Sequence, residues 1–336
     1  MIKNKLSVLL LLAMTFISCK AGETNESPAQ PAPETASRPT SFASDDAMLD
    51  YIEKVHLNYM WDGAAPTSGM AYERIHLDNN YPENDRDVVT LGGSGFGVAG
   101  LLVGIDRGFI SRTDGVARLT KIVNYLSTAD RFHGMWPHWL YGSTGKVKPF
   151  GTKDDGGDLV ESSFMMQSLL CVRQYFKDGN SSERALSDKI NALWRSMEYD
   201  WYRNGGKNVI YWHWSPDYAW DMNFPLQGYN ECLIAYILGA SSPTHSIPAE
   251  CYHEGWARSG AIKSSAAPFG YPLELKHNGA EQLGGPLFWS QYSYIGLCPK
   301  GLTDEYANYW NVTRNHAMSD YEYCVRNPKG YKGYGK

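Results

Sequence analysis

Two kinds of helical segment alternate along this chain, and long loops rich in Gly, Pro and Trp separate them. Stretches 92–104, 158–177, 225–239 and 286–297 are apolar or small on nearly every side, which is typical of helices buried on most faces. The intervening segments, such as 182–200, carry one apolar stripe and a charged face. Two concentric layers of antiparallel helices satisfy this alternation most simply. The pattern therefore predicts an all-α fold of the α/α toroid type.

The positions of the helices and loops indicate where a site would form. Loops 128–157, 201–224 and 259–285 each precede a buried segment and hold most of the Trp, Gly and Asp residues. Loops of this length in a compact domain are usually functional, so we expect these three to meet at one end of the ring. The predicted helices are 45–60, 92–104, 113–127, 158–177, 182–200, 225–239, 248–258, 286–297 and 304–326.

The N-terminus has the pattern of an export signal. Residues 1–19 combine a positive start with an apolar run too short to span a bilayer permanently, and they end in a lipobox-like Cys19. An ordinary signal peptide that happens to contain a Cys is the alternative. Residues 20–43 are rich in Pro, Ser, Thr and Glu, so we expect a disordered tether. The sequence thus predicts an exported bacterial lipoprotein, periplasmic or outer-membrane-anchored through lipidated Cys19, whose folded domain spans 44–336.

Composition narrows the class of partner. The chain has 31 basic and 36 acidic residues and a formal net charge of -5, which argues against a nucleic-acid-binding protein. Its 11 Trp and 23 Tyr exceed what a core needs, and such side chains suit ligands with a flat apolar face and a polar rim, such as sugars. No HExxH motif, P-loop, GxSxG elbow or Cys/His metal spacing occurs in the sequence. We therefore expect a glycan ligand and neither a cofactor nor a metal.

A GxGxxG pattern is formed by Gly95, Gly97 and Gly100. A dinucleotide-binding fold would need further βαβ units, whereas the rest of the chain predicts helices. Small residues that let a buried helix approach its neighbours explain these glycines better.

Three carboxylates converge at the predicted start of segment 158–177, namely Asp154, Asp158 and Glu161. Asp158 and Glu161 lie three residues apart and share one face of the helix. Ordinary helix capping is one explanation of such a pair. Their position after an aromatic loop and beside a Gly-Gly pair favours a catalytic role. The helix dipole favours ionised carboxylates here, which suits a general base more than an acid.

Glu231 is a single acidic residue within the apolar segment 225–239. Burial raises the pKa of a carboxyl group, and a raised pKa is what a general acid needs at neutral pH. A buried Glu tied to an Arg or to a backbone group is the alternative interpretation.

Aromatic and histidine side chains cluster in the loops before the acidic segments. Stacking on sugar rings is the natural use of such a cluster, although each aromatic residue alone is most often a core residue. His138 and His213 could bond sugar hydroxyls, or they could be structural. The candidate substrate-binding residues are Trp136, His138, Trp139, Tyr141, Trp212, Trp214, Trp289 and Tyr292.

Four motifs in sequence order resemble the glucoamylase-like domain of bacterial endo-β-1,2-glucanases, glycoside hydrolase family 144. The similarity runs from about residue 45 to the end of the chain. The motifs are Gly93-Ser94-Gly95-Phe96-Gly97, Gly156-Gly157-Asp158-Leu159-Val160-Glu161-Ser162-Ser163-Phe164, Gly228-Tyr229-Asn230-Glu231, and Gly285-Pro286-Leu287-Phe288 with Tyr292-Ser293.

The resemblance implies an (α/α)6 toroid and inverting endo-hydrolysis of β-1,2-glucan to sophoro-oligosaccharides. It maps the family's acidic cluster onto Asp154, Asp158 and Glu161 and its general acid onto Glu231, and it leaves the general base open. Family members continue past Lys336, so it also implies that C-terminal helices of the toroid are missing here. We expect a monomer. Two alternatives stay open: a non-catalytic glycan-binding lipoprotein of an uptake system, and a hydrolase or lyase of another glycan on the same toroid.

Overall fold

Seven α-helices carry the fold of residues 38–335, which are the residues that the computed structural model describes. The export signal, Cys19 and most of the tether lie outside the described residues. Within residues 38–335, no helix is both long and apolar enough to cross a membrane. The helices are α1 (Asp45–Trp61), α2 (Leu91–Asp106), α3 (Arg112–Thr128), α4 (Leu159–Phe176), α5 (Ser181–Arg195), α6 (Leu233–Ser241) and α7 (Tyr309–Arg326).

Buried and amphipathic helices alternate as the sequence predicts. Helices α2, α4 and α6 bury most of their residues, whereas α3 and α5 bury one face and expose a charged one. Helix α4 packs against α2, α5 and α6 and so occupies the centre of this arrangement. The alternation arises because a helix with neighbours on several sides must be apolar or small nearly all round.

The GxGxxG glycines lie inside α2, and two of the three serve its packing. A Cβ atom at Gly95 would lie 2.7 Å from the Cα of Met165 in α4, and one at Gly97 would lie 2.8 Å from Sδ of Met60 in α1. The prediction that these residues let a buried helix approach its neighbours is therefore confirmed for Gly95 and Gly97 but not for Gly100, where a Cβ atom would meet nothing within 4 Å.

Five short strands join the loops to the ends of the helices. β1 (Val88–Thr90), β2 (Trp139–Tyr141) and β3 (Val147–Lys148) form one antiparallel sheet in that order. β4 (Gly157–Asp158) pairs antiparallel with β5 (His213–Trp214), which sets Asp158 opposite His213. The two predicted loops 128–157 and 201–224 are thus held together at the N-terminal end of α4.

Segment 225–239 is helical only in its second half. Helix α6 begins at Leu233, and residues 225–232 form an irregular turn that includes Gly228 at φ 88°. The side chain of Asn230 accepts a hydrogen bond from the backbone N–H of Cys232 at 3.0 Å, which competes with helix formation. Glu231 therefore precedes the helix rather than lying within it.

Three other predicted helices are corrected by the structure. Segment 248–258 holds a π-helical turn, Cys251–Trp256, and segment 286–297 holds two 3₁₀ turns, Leu287–Ser290 and Tyr292–Ile295. The second of these segments is rich in aromatic residues and Ser, which form helices less readily than straight-chain residues do. Helix α7 begins at Tyr309 rather than 304 because the side chain of Asn308 caps it.

Candidate active site

Asp158 is a fully buried carboxylate at the start of α4. Its Oδ1 accepts hydrogen bonds from the backbone N–H groups of Val160 and Glu161 and from Nε1 of Trp212, each at 2.9 Å. Its Oδ2 accepts a hydrogen bond from Nδ1 of His138 at 3.0 Å. The capping interpretation is thus correct for Asp158, which is in addition held by two side chains from the aromatic loops.

Two glycines allow this close approach of β4 to its neighbours. A Cβ atom at Gly156 would lie 2.1 Å from the carbonyl oxygen of Trp214, and one at Gly157 would lie 1.9 Å from Oη of Tyr202. Because neither glycine has a side chain, the backbone of Trp214 and the phenol of Tyr202 can lie against β4. β5 can therefore bring His213 beside the carboxylates.

His138 and His213 alternate with Asp154 and Asp158 in one network. Nδ1 of His213 lies 3.3 Å from Oδ1 of the buried Asp154 and 3.9 Å from Oδ2 of Asp158. Burial opposes a charge on His138, but the hydrogen bond to Asp158 and the surrounding carboxylates outweigh it and raise its pKa to about 9. The pKa of His213 is raised as well, against its burial, by Asp154 and Asp158.

The two histidines stabilise the ionised form of Asp158. Burial alone would raise the pKa of this carboxyl group, but the hydrogen bond from His138 and the charge of His213 lower it. The network thus consists of negative and positive groups in alternation, and its members support one another in a region of low dielectric constant.

Part of the same cluster has the spacing of a possible metal site. His138, Asp154 and Asp158 each offer a ligand atom within 4.8 Å of the others. However, both oxygens of Asp158 already accept hydrogen bonds, and Nδ1 of His138 faces Oδ2 of Asp158. This donor set fits a hydrogen-bonded network of alternating charge better than it fits a divalent cation.

Glu161 lies one turn into α4 and is held by the backbone of another helix. Its Oε2 accepts a hydrogen bond from the backbone N–H of Gly92 in α2 at 2.8 Å. The side chain of the N-cap residue Thr90 makes no capping hydrogen bond, so this N–H is free for the Glu161 carboxylate. Burial and then the charge of Asp158 raise the pKa of Glu161 to about 7. Gly92 was not among the predicted site residues, and only its place in a pair of glycines could have indicated it.

Glu231 is partly buried rather than fully enclosed. Its Oε2 is buried, and no hydrogen-bond partner for it occurs among residues 38–335. Burial raises the pKa of this carboxyl group. Its main-chain carbonyl accepts a hydrogen bond from Oγ of Ser293 at 2.9 Å, and the same Oγ accepts one from the N–H of Ile234. The turn is thus fixed, while one oxygen of the carboxyl group has no protein partner.

The phenol of Tyr292 lies within range of the charges of both Glu161 and Glu231. Burial raises the pKa of its phenol, and the charges of Glu161 and Glu231 both raise it further. The charges of Glu231, Asp158 and Glu161 likewise act on the buried thiol of Cys232, whose pKa is raised first by burial. The structure therefore brings Glu231 to the same region as the carboxylates at the start of α4.

The predicted aromatic residues fall into different environments. Trp139 is partly exposed, and its ring lies 5.6 Å from that of His138 and 4.7 Å from that of Phe150, between ring centroids. Phe150, which the sequence analysis missed, is 51% exposed and also contacts His138. Trp212 is partly exposed as well and donates to Asp158. These side chains form an aromatic wall beside the carboxylates.

Four other members of the predicted aromatic set have different surroundings. Trp136 is fully buried and donates its indole N–H to the carbonyl of Leu126, so it belongs to the core and has no surface for a sugar. The assignment of Trp136 to substrate binding is therefore wrong, because a fully buried indole that is bonded to α3 has no ring face exposed to a sugar. Trp214 packs on His133 and Trp201. Tyr141 and Trp289 are partly exposed.

Solved structures and a family model resemble this chain. A family model described as "Putative glucoamylase" matches residues 223–336. The endo-beta-1,2-glucanase from Chitinophaga pinensis, in a sophorotriose and glucose complex, is 64% identical, with a TM-score of 0.85 over 88% of this chain and 70% of that one. The beta-1,2-glucanase from Parabacteroides distasonis is 39% identical, with a TM-score of 0.81 over 88% of this chain and 44% of that one.

One curated relative is the exo beta-1,2-glucooligosaccharide sophorohydrolase (non-reducing end) of Parabacteroides distasonis. It is 40% identical over 96% of this chain, and the chain spans 45% of its length, which is less than half. The structural agreement confirms the predicted α/α toroid as the fold class.

Proposed function

Because the chain belongs to the glucoamylase-like family, which includes the β-1,2-glucan hydrolases named above, we propose that it is an inverting hydrolase of β-1,2-glucan. The observation that carries the proposal is the contrast between two kinds of carboxyl group in the same region. Glu231 has a buried Oε2 for which no partner occurs among residues 38–335, and burial raises the pKa of this group. Asp154 and Asp158, in contrast, lie beside His213 and His138. A protonated carboxyl group and a carboxylate are the acid and the base that an inverting hydrolysis requires.

Glu231 is the general acid in this mechanism. Its raised pKa keeps the carboxyl group protonated closer to neutral pH, so that it can donate the proton to the glycosidic oxygen as the bond from that oxygen to the anomeric carbon breaks. A water molecule attacks the anomeric carbon from the opposite face and gives its own proton to the base. The configuration at that carbon is thereby inverted, and the carboxyl groups must be about 6.5–9.5 Å apart to leave room for the water.

Asp154 is the general base that the proposal assigns. Asp158 accepts hydrogen bonds on both of its oxygens and so acts by holding His138 and the start of α4. Asp154 differs from Asp158. Nδ1 of His213 lies 3.3 Å from its Oδ1 and balances the charge of the carboxylate, whereas its Oδ2 accepts no hydrogen bond from the described residues. Glu161 has its Oε2 engaged by the backbone N–H of Gly92, so we assign it to the contact between α4 and α2 rather than to the water.

Endo-cleavage to sophoro-oligosaccharides is the finer part of the proposal. The relative named as an endo-glucanase is 64% identical to this chain, whereas the relative named as an exo-acting sophorohydrolase is 40% identical. The aromatic wall of Trp139, Phe150 and Trp212 would hold neighbouring glucose units and so orient the scissile bond. We also propose, from the N-terminal sequence, that the protein is exported and anchored through Cys19; replacing Cys19 with Ser should abolish its labelling by radioactive palmitate in cells.

A panel of glucans tests the proposal. The protein is incubated with β-1,2-, β-1,3- and β-1,4-linked glucans, and the products are read by size and, with NMR, by anomeric form. We expect short oligosaccharides of α configuration from β-1,2-glucan alone. Binding without any cleavage would instead support the non-catalytic glycan-binding lipoprotein, and an unsaturated product absorbing in the ultraviolet would support a lyase.

A further inference from the structure

Glu73 is an acidic residue outside the carboxylate cluster, and its backbone is built into the sheet beside it. The N–H of Glu73 donates to the carbonyl of Val88 at 2.9 Å, and the preceding Tyr72 pairs with Val89. The segment thus adds to the edge of β1. In that sheet, Trp139 of β2 lies opposite Thr90 of β1.

The side chain of Glu73 reaches across this sheet to the aromatic wall. Its Oε2 accepts a hydrogen bond from Nε1 of Trp139 at 3.1 Å. The Glu73 side chain is 24% exposed, so much of the carboxylate is removed from water, which strengthens a charge-assisted hydrogen bond. Its Oε1 lies 3.4 Å from the guanidinium of the adjacent, exposed Arg74. Both carboxylate oxygens of Glu73 are therefore engaged, and the partner that belongs to the aromatic wall is the Trp139 indole.

Trp139 needs such a partner because of its position. It is partly exposed, and its ring contacts the half-exposed Phe150, so packing alone fixes it on few sides. A hydrogen bond at Nε1 fixes the rotation of the indole plane, which decides whether the ring presents its face or its edge to a ligand. A stacking platform for a pyranose ring requires the face.

The platform is close to the reacting groups. The residue after Thr90 is Leu91, whose N–H donates to the carbonyl of His138, and the next is Gly92, which binds Glu161. After burial and Asp158, the charge of Glu73 is among those that raise the pKa of Glu161. Glu73, Trp139 and Glu161 thus share one region of the cleft.

We propose that Glu73 is a positioning residue of the glucan-binding cleft, whose carboxylate holds the Trp139 indole as a flat wall for one glucose unit. This inference rests on the proposed function. It predicts that Glu73 contributes to affinity through Trp139 and contributes little to the bond-breaking step.

Steady-state kinetics on β-1,2-glucan test the inference. Glu73→Ala should raise KM about tenfold and leave kcat within about twofold, since a lost ground-state contact acts on binding. Glu73→Gln should restore KM, because its amide oxygen still accepts the indole N–H. Glu83→Ala, at an exposed position on the same loop, is the control. An unchanged KM in Glu73→Ala, or an equal rise in Glu73→Gln, would overturn the inference.

Two further measurements keep the test independent of folding defects. In 15N-labelled protein, the indole N–H resonance of Trp139, assigned by its loss in Trp139→Phe, should move in Glu73→Ala and stay in place in Glu73→Gln. Trp139→Phe removes the donor of the same hydrogen bond and should itself raise KM while kcat is retained. This variant tests the inference even if Glu73→Ala does not fold. In the Trp139→Phe background, replacing Glu73 with Ala should have no added effect on KM; a further tenfold rise would contradict the inference.

The proposed function and this inference fail in different ways. If the wild-type protein binds sophorotriose without cleaving any glucan, the proposed function is wrong. The Glu73 variants are then compared by their calorimetric Kd for sophorotriose, and we expect Glu73→Ala to raise Kd about tenfold relative to the wild type. If the wild-type protein neither cleaves nor binds, both are overturned.

Discussion

The backbone N–H of Gly92 donates to Oε2 of Glu161 at 2.8 Å, across 69 residues of sequence. A Cβ atom at Gly92 would lie 2.2 Å from that oxygen. The start of one inner helix, α2, therefore fixes a carboxylate on another, α4, and it does so with backbone alone. This contact requires that position 92 have no side chain.

Gly92→Ala should displace Glu161 and lower kcat/KM by about 100-fold, because small misplacements in an active site are costly. Gly100→Ala is a matched control on the same helix, since a Cβ atom there meets nothing within 4 Å. That control should keep its activity and gain about 0.5–1 kcal/mol of stability. Kinetics and thermal melts check both variants, and equal activities would contradict the role given to the Gly92 contact.

Glu231→Gln should lower kcat by about 100- to 10,000-fold, because the amide cannot donate the proton to the leaving oxygen. Binding of sophorotriose, measured by calorimetry, should change little, since the shape of the side chain is kept. The exposed Glu250→Gln serves as the control. Turnover of Glu231→Gln at the wild-type rate would remove the acid assignment.

Asp154→Asn should abolish turnover on β-1,2-glucan, and azide should restore it, because this nucleophile needs no general base. Glu161→Gln should retain more activity than Asp154→Asn and should not respond to azide. The measurement is product formation with and without azide. Rescue of Glu161→Gln alone would transfer the role of base to Glu161.

Glu161 should make the stability of the protein depend on pH. The pKa of Glu161 in the folded protein, about 7, exceeds its ordinary value of 4.5, so the folded state binds the proton more tightly than the unfolded state. The stability that this proton binding contributes is fully present below pH 4.5 and is lost as the pH rises through 7. Glu161→Gln should therefore be more stable than the wild type at pH 8, by up to about 3 kcal/mol, and close to it at pH 4.5. Urea melts at the two pH values measure this difference, and a difference independent of pH would count against it.

Phe150→Ala should raise KM about five- to tenfold and leave the melting temperature nearly unchanged, because the ring is 51% exposed and contacts mainly Trp139 and His138. Tyr321→Ala, at a position of α7 that is 58% exposed, is the control. Kinetics and melts on both variants check the outcome. A large loss of stability with an unchanged KM would assign Phe150 to packing.

The sequence by itself determined the helical class, and it singled out the acidic residues that we propose for the site. Helices that are apolar on nearly every side, such as α4, can be read from composition because burial acts on each residue locally. The capping position of Asp158 and the partial burial of Glu231 follow from the same local chemistry. Gly95 and Gly97 of α2 could likewise be assigned to helix packing rather than to a phosphate site.

Only the tertiary structure decided which of these groups meet and how each is held. The bonds from Gly92 to Glu161 and from Trp139 to Glu73 join residues 69 and 66 positions apart, and no local pattern encodes such pairs. The same holds for Trp136, which local sequence places with the sugar-binding aromatics and packing places in the core. Side-chain type is a property of one residue, whereas its exposure and partners depend on the packing of segments distant in the chain.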